Sequence, residues 1–155
     1  MEFHYIKTEE DIEHLMKHFM YFHDSCIKEL KYISGGYVAV DCSIYPINSL
    51  RQLNIIFQSQ GGVYPMIEMQ FELVHRFNLE PRSCEYDCII YDSTLKCING
   101  LFYWSEWGDF KLEDIDKTNG TWIAAEKVKW RPIENLMGDK EIYIQVTEIN
   151  KEQGR

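Results

Sequence analysis

The stretch Phe22-His23-Asp24-Ser25-Cys26 places an imidazole, a carboxylate, a hydroxyl and a thiol in consecutive positions. Such groups can serve as base, orienting acid and nucleophile. Neighbouring side chains diverge, however, and catalytic triads are assembled across a fold. The structural reading is that His23 sits at a helix C-terminus, where a cation is favoured. Asp24 and Ser25 then bond to turn backbone. A small hydrolase with its site near His23 and Asp24 is therefore the secondary reading of this cluster.

The second constellation is Tyr103-Trp104-Ser105-Glu106-Trp107-Gly108-Asp109-Phe110. Strand alternation puts Trp104 and Glu106 on one face, and Trp122, Glu126 and Trp130 share a parity further on. Flat aromatic rings beside carboxylates can anchor a protein partner or stack on sugars. The interaction candidates are Glu106, Trp107, Asp109, Phe110, Trp104 and Trp122. A carbohydrate-binding module using Trp104 and Trp107 is an alternative. Glu106 and Asp109 would suit glycoside hydrolysis only with a groove and a controlled separation. Core packing explains most of these aromatics.

Metal ligation is weakly encoded. His14 and His18 stand four apart on a helix, without the H-E-x-x-H order. Cys84 and Cys88 have an admissible spacing, with Cys97 nearby, but no second pair completes a zinc knuckle. Buried cysteines acting as small apolar groups are the simpler account. No phosphate-binding glycine motif and no G-x-S-x-G occurs. The expectation is no metal and no cofactor.

The elements that must position these groups follow from periodicity. Thr8 caps a helix opened by Glu9, Glu10 and Asp11. Ile12, Leu15, Met16, Phe19 and Met20 form one apolar stripe, so the helix is predicted over about 8–23. From residue 26 to about 147 the chain reads as short strands. These are predicted at Ile27–Ser34, with a bulge, then Val38–Ile44, Leu53–Gln58, Ile67–Leu73, Tyr86–Ile98 with an interruption near Asp92-Ser93, Leu101–Glu106, Trp122–Trp130 and Ile142–Val146. Gly35-Gly36, Gly61-Gly62, Asn99-Gly100 and Asn119-Gly120 mark turns, and His75–Glu85 reads as a loop. Residues 150–155 form a polar, frayed tail. The prediction is one domain over 1–155, mainly β (α+β). It is an antiparallel β-sandwich or strongly curved sheet of about eight or nine strands with one N-terminal helix packed on it.

Composition narrows the partners. The chain has 155 residues, 45% hydrophobic and 26% charged, with a net charge of −9. A phosphate backbone needs a Lys/Arg surface, so nucleic acid is not an expected partner. An anionic membrane is disfavoured on the same ground, whereas a basic protein is allowed. The Met1–Tyr5 start lacks a signal-peptide pattern, and no run of 18 apolar residues occurs. Five cysteines without C-x-x-C fit reduced thiols in a cytoplasm.

Phe22-His23-Asp24-Ser25 followed by Ile27-Lys28-Glu29, with Asn99-Gly100 and Trp104 downstream, resembles a group of small bacterial proteins. In these a first helix ends in F-H-D-S or F-H-D-A and an antiparallel β domain follows. Some of them are suspected immunity proteins of toxin–immunity systems. The resemblance implies no catalytic residue. The sequence therefore leads to a non-enzymatic interaction module, with an immunity-like neutraliser of a basic partner as its specific form. The partner is another protein or a second copy in a homodimer, which the sequence does not distinguish.

Overall fold

The computed structural model describes residues 2–117 and 119–145. It begins with β1 (His4–Ile6) and helix α1 (Glu9–His18). Thr8 caps the helix, its hydroxyl accepting from the Asp11 amide at 3.1 Å while the Asp11 carboxylate accepts from the Thr8 amide at 2.9 Å. Hydrogen bonds from the backbone amides of Lys7 and Thr8 hold the Asp11 carboxyl below the ordinary aspartate range. A depressed carboxyl adds stability above its unfolded value, and that stability is lost as pH falls through the folded value. Asp11→Asn is thus expected to flatten the acid limb of thermal stability between about pH 5 and pH 2. An unchanged limb would show that this cap does not sense pH.

The helix ends earlier than its stripe suggests. Phe19 closes it, and Met20, Tyr21 and Phe22 follow with φ of 52°, 53° and 63°. Three successive left-handed residues interrupt the predicted helix over 8–23. Burial of Phe22 and a 2.7 Å bond from the Tyr21 hydroxyl to Glu13 hold the turn in place.

The remaining strands are β2 (Ser25–Ile33), β3 (Tyr37–Val38), β4 (Ile44–Tyr45), β5 (Gln52–Ser59), β6 (Met66–Asn78), β7 (Thr94–Ile98), β8 (Leu101–Ser105) and β9 (Trp122–Pro132). One seven-stranded antiparallel sheet runs β2-β5-β6-β9-β8-β7, with β1 also paired to β9. It is not a closed barrel, and it stands in place of the two packed sheets of a sandwich. The predicted bulge in β2 lies between Ile27 and Glu29, and β6 has another between Val74 and Arg76. Asn99 and Gly100, with φ of 51° and 80°, make the expected tight hairpin between β7 and β8.

The helix covers one face of the sheet. Leu15, Phe19 and Phe22 meet Leu53, Ile55, Phe57, Met69 and Trp104 in the main core. The opposite face carries two smaller clusters. Tyr103, Phe110, Trp122 and Ala124 form one, and Ile56, Met66, Ile133 and Ile142 the other. Charged pairs also lie on this opposite face. Glu68 meets Arg131 at 3.1 Å and Glu72 meets Lys129 at 2.8 Å. Burial alone would lower Lys129, but Glu72 and Tyr5 outweigh it and hold the ammonium above its ordinary value.

Several expected strands differ from those observed. Val38 to Ile44 is not one strand. The Asp41 carboxylate accepts from the Ser43 amide at 3.0 Å, which folds residues 39–43 into the tip of the small β3–β4 hairpin. Residues 75–78 belong to β6 rather than to a loop, because β9 extends far enough to pair with them. Between residues 86 and 93 only Ile90 makes a strand-like bridge, to Ser25. Residues 142–145 are helical instead of extended. Glu29 accepts from the Ile142 and Tyr143 amides at 2.7 and 3.4 Å, an anion at the start of a helical turn. Ile142 is then buried and Ile144 is exposed, so the two do not share a face. Val146 and the tail 150–155 lie outside the described residues. No helix among the described residues is long and apolar enough to cross a membrane.

Candidate functional site

The F-H-D-S segment is an exposed His–Asp contact followed by a buried hydroxyl. His23 Nδ1 lies 3.1 Å from Asp24 Oδ2, with both side chains about half exposed. Asp24 takes φ of 57°, a left-handed conformation that aspartate tolerates better than most residues. Ser25 is buried, and its hydroxyl donates to the Phe22 carbonyl at 2.6 Å. The hydroxyl therefore closes a turn and is not aimed at the imidazole. The clefts described below are lined by other residues.

The aromatic-acid segment comes apart in the same way. Trp104 belongs to the main core, while Phe110 and Trp122 belong to a cluster on the opposite face. These three cannot present a surface. Glu106 is nearly buried and pairs with Arg82 at 3.5 Å. Arg82 also donates to the Asp87 and Ile89 carbonyls, pinning residues 82–89 beneath it. Asp109 is exposed. Trp107 is exposed in part, but its Nε1 donates to the Asn119 carbonyl at 2.6 Å. A Cβ on Gly120, which has φ of 130°, would stand 2.3 Å from that nitrogen, so glycine is required for the contact. The candidate sugar platform is reduced to one tethered indole.

Histidine and cysteine groups are dispersed. The rings of His14 and His18 lie 4.0 Å apart, tilted by 37°, and His18 Nδ1 is engaged with the His14 carbonyl at 2.7 Å. His4 lies against Trp130 at 4.9 Å. Cys88 lies beside Cys26, whose thiol is pushed up by burial and by this second thiol. Among the described residues no group of three or more His, Cys, Asp or Glu side chains could hold a metal ion.

Several clefts flank the sheet, two of them beside residues already described. One, of about 490 Å³, opens beside β9 between β1 and β8 and is lined by Tyr5, Ile6, Phe102 and Val128, with Lys7 and Lys127 at hand. The other, of about 200 Å³, lies between Ile27, Pro81, Cys88 and the Arg82–Glu106 pair.

The feature that sequence reasoning passed over is the arm between β2 and β5. Residues 35–50 leave the main sheet and carry the β3–β4 hairpin. The Leu50 and Arg51 amides both donate to the Ser34 carbonyl at 3.1 Å and clamp its base. Gly35 has φ of 94°, and an added Cβ would lie 2.7 Å from the Leu50 nitrogen, so this base needs glycine. Tyr37 and Tyr45 stack at 4.7 Å. The arm is thus built rigidly, yet its apolar side chains point outward. Tyr37, Val38, Val40, Ile44, Tyr45 and Ile47 are each 50% exposed or more. Six such side chains on one short arm are the kind of exposed apolar surface that marks an interaction site.

No family model, curated protein or solved structure matches this chain.

The resemblance carried by Phe22-His23-Asp24-Ser25 gains no support from these comparisons, and the site must be judged on its geometry. The arm had a sequence signal. Between Gly35 and Leu50 the only charged residue is Asp41, and the apolar residues occupy both parities of the stretch. Alternation with apolar residues on both sides fits either a strand buried on two faces or a hairpin awaiting cover. Only the departure of the arm from the sheet distinguishes the two.

Proposed function

We propose that this chain works as a non-enzymatic protein-binding module whose contact organ is the arm at residues 35–50. One observation carries the reading: a hydrogen-bonded hairpin holds large apolar side chains out in water. A rigid hairpin that exposes this much apolar surface gains free energy when another protein covers it. The engaged Ser25 hydroxyl and the buried Trp104 and Trp122 weigh against the hydrolase and sugar-binding alternatives. The five free cysteines suit a reducing cytoplasm. The charge of −9 favours a basic protein if the partner is foreign, as an immunity-like neutraliser would require.

The test replaces Val38 with Lys and Ile44 with Glu, two residues that face each other across the hairpin. Opposite charges at such a pair support the hairpin while removing its apolar surface. The double variant is expected to melt within a few degrees of the parent. It should lose the protein–protein crosslinks that the parent forms at native abundance. Retention of every crosslink would overturn the reading.

A further inference from the structure

The sheet edge beside the arm indicates what covers it. β2 is the outermost strand of the sheet on its side. Among the described residues its outer edge is bridged once, where Ser25 pairs with Ile90. Beyond that bridge its outward backbone donors and acceptors meet no other described strand, a condition that invites strand addition. The two ends of β2 are chemically matched. Its C-terminal end runs into the apolar arm. Its N-terminal end lies beside residues 86–91, where Tyr86, Ile89 and Tyr91 are 73%, 36% and 59% exposed.

Antiparallel pairing of two β2 strands brings the C-terminal end of each to the N-terminal end of the other. The arm of one copy then meets the Tyr86–Tyr91 patch of the second, and the reverse contact follows by two-fold symmetry. We propose that the occupant of the arm is a second copy of this chain, held in a two-fold dimer by continuous β2–β2 pairing. The proposal rests on the reading of the arm as a protein-binding organ.

Charge favours the same occupant. Asp41 is the only charged side chain in residues 35–50 of a chain with net charge −9. The arm therefore adds little repulsion of its own, and Asp87 on the facing patch is paired with Arg82 of its own copy at 3.8 Å. A register centred on Leu30 sets Glu29 opposite Lys31 twice, once on each side of the axis. Opposite charges facing each other across strands stabilise the pair. Glu29 also accepts hydrogen bonds from the Ile142 and Tyr143 amides of its own copy. Charged side chains on an edge strand discourage foreign strands, but this order is complementary to itself.

The experiment is sedimentation equilibrium of the full chain over a wide concentration range. The parent is expected at twice the chain mass. Val40→Asp on the arm, Lys31→Glu on the edge and Tyr91→Asp on the patch should each raise the dimer dissociation constant at least tenfold. Circular dichroism identifies any variant that fails to fold, and in that case the parent mass and the remaining variants decide. A monomeric parent at all concentrations overturns the dimer. If Val40→Asp then still removes crosslinks to another protein, the arm reading survives alone. If it changes neither mass nor crosslinks, both readings fall. A dimer indifferent to all three variants would also overturn the proposal, because the contact would lie elsewhere.

Discussion

Trp104→Ala is expected to cost about 3–5 kcal/mol of folding stability. Trp104 is fully buried and lies 5.6 Å from Phe22 and 5.2 Å from Phe57, ring centre to ring centre. It joins the turn after α1 to the central sheet, so its loss opens a cavity where three elements meet. The neighbours cannot collapse inward, because Leu95 and Ile123 are held opposite it in the strand ladder. The indole Nε1 adds a second effect. It is buried, and among the described residues it has no hydrogen-bond partner. An unsatisfied buried donor costs about 1–3 kcal/mol. Trp104→Phe removes that donor while keeping most of the ring, so it should cost at least about 2 kcal/mol less than the alanine change. Urea unfolding of the three proteins provides the comparison. A loss below about 1 kcal/mol for Trp104→Ala would contradict the packing of the helix turn on the sheet.

The second large effect lies on the opposite face. Arg131→Met is expected to destabilise the fold by about 3–5 kcal/mol. Glu68 is almost completely buried and meets the Arg131 guanidinium at 3.1 Å. Arg131 also lies over the Phe3 ring at 4.7 Å, which further shields the pair from water. Methionine fills much of the same volume but leaves the Glu68 carboxylate without its counter-charge. Pairing the change with Glu68→Gln should recover most of the loss, because no uncompensated charge then remains. A double-mutant cycle separates the coupling from the packing. If the double variant were as unstable as Arg131→Met alone, the cost would come from lost packing rather than from the stranded charge.

Much of the fold was legible because its signals are local. Thr8 and Asp11 form the expected cap, and Asn99-Gly100 forms the expected hairpin. Leu53, Ile55 and Phe57 face the helix as their alternation predicts. The errors have a common cause. A strand and a short helical turn can share the pattern apolar-x-apolar, as at Ile142 and Ile144, and the Glu29 carboxylate from a distant strand decides between them. Likewise, alternation from Val38 to Ile44 does not reveal that Asp41 bonds to Ser43 and reverses the chain.

The candidate site was less legible than the fold. Chemistry-bearing residue types drew notice to Trp104, Trp122 and Glu106, which the tertiary structure buries. The arm attracted none, since Val and Ile carry no reactive group and its tyrosines stand in no catalytic motif. Its interest lies in their exposure, which is a property of the surroundings and not of the residue.

From its order of residues alone, this chain determined a helix cap, several turns, an antiparallel β domain and a nearly uncharged stretch between Gly35 and Leu50. Each depends on contacts a few residues apart or on side-chain period. Only the tertiary structure decided which aromatics are core, that seven strands join in one sheet, and that the uncharged stretch stands out from it. Those outcomes depend on contacts between distant strands, and solvent exposure exists only once every such contact has been made.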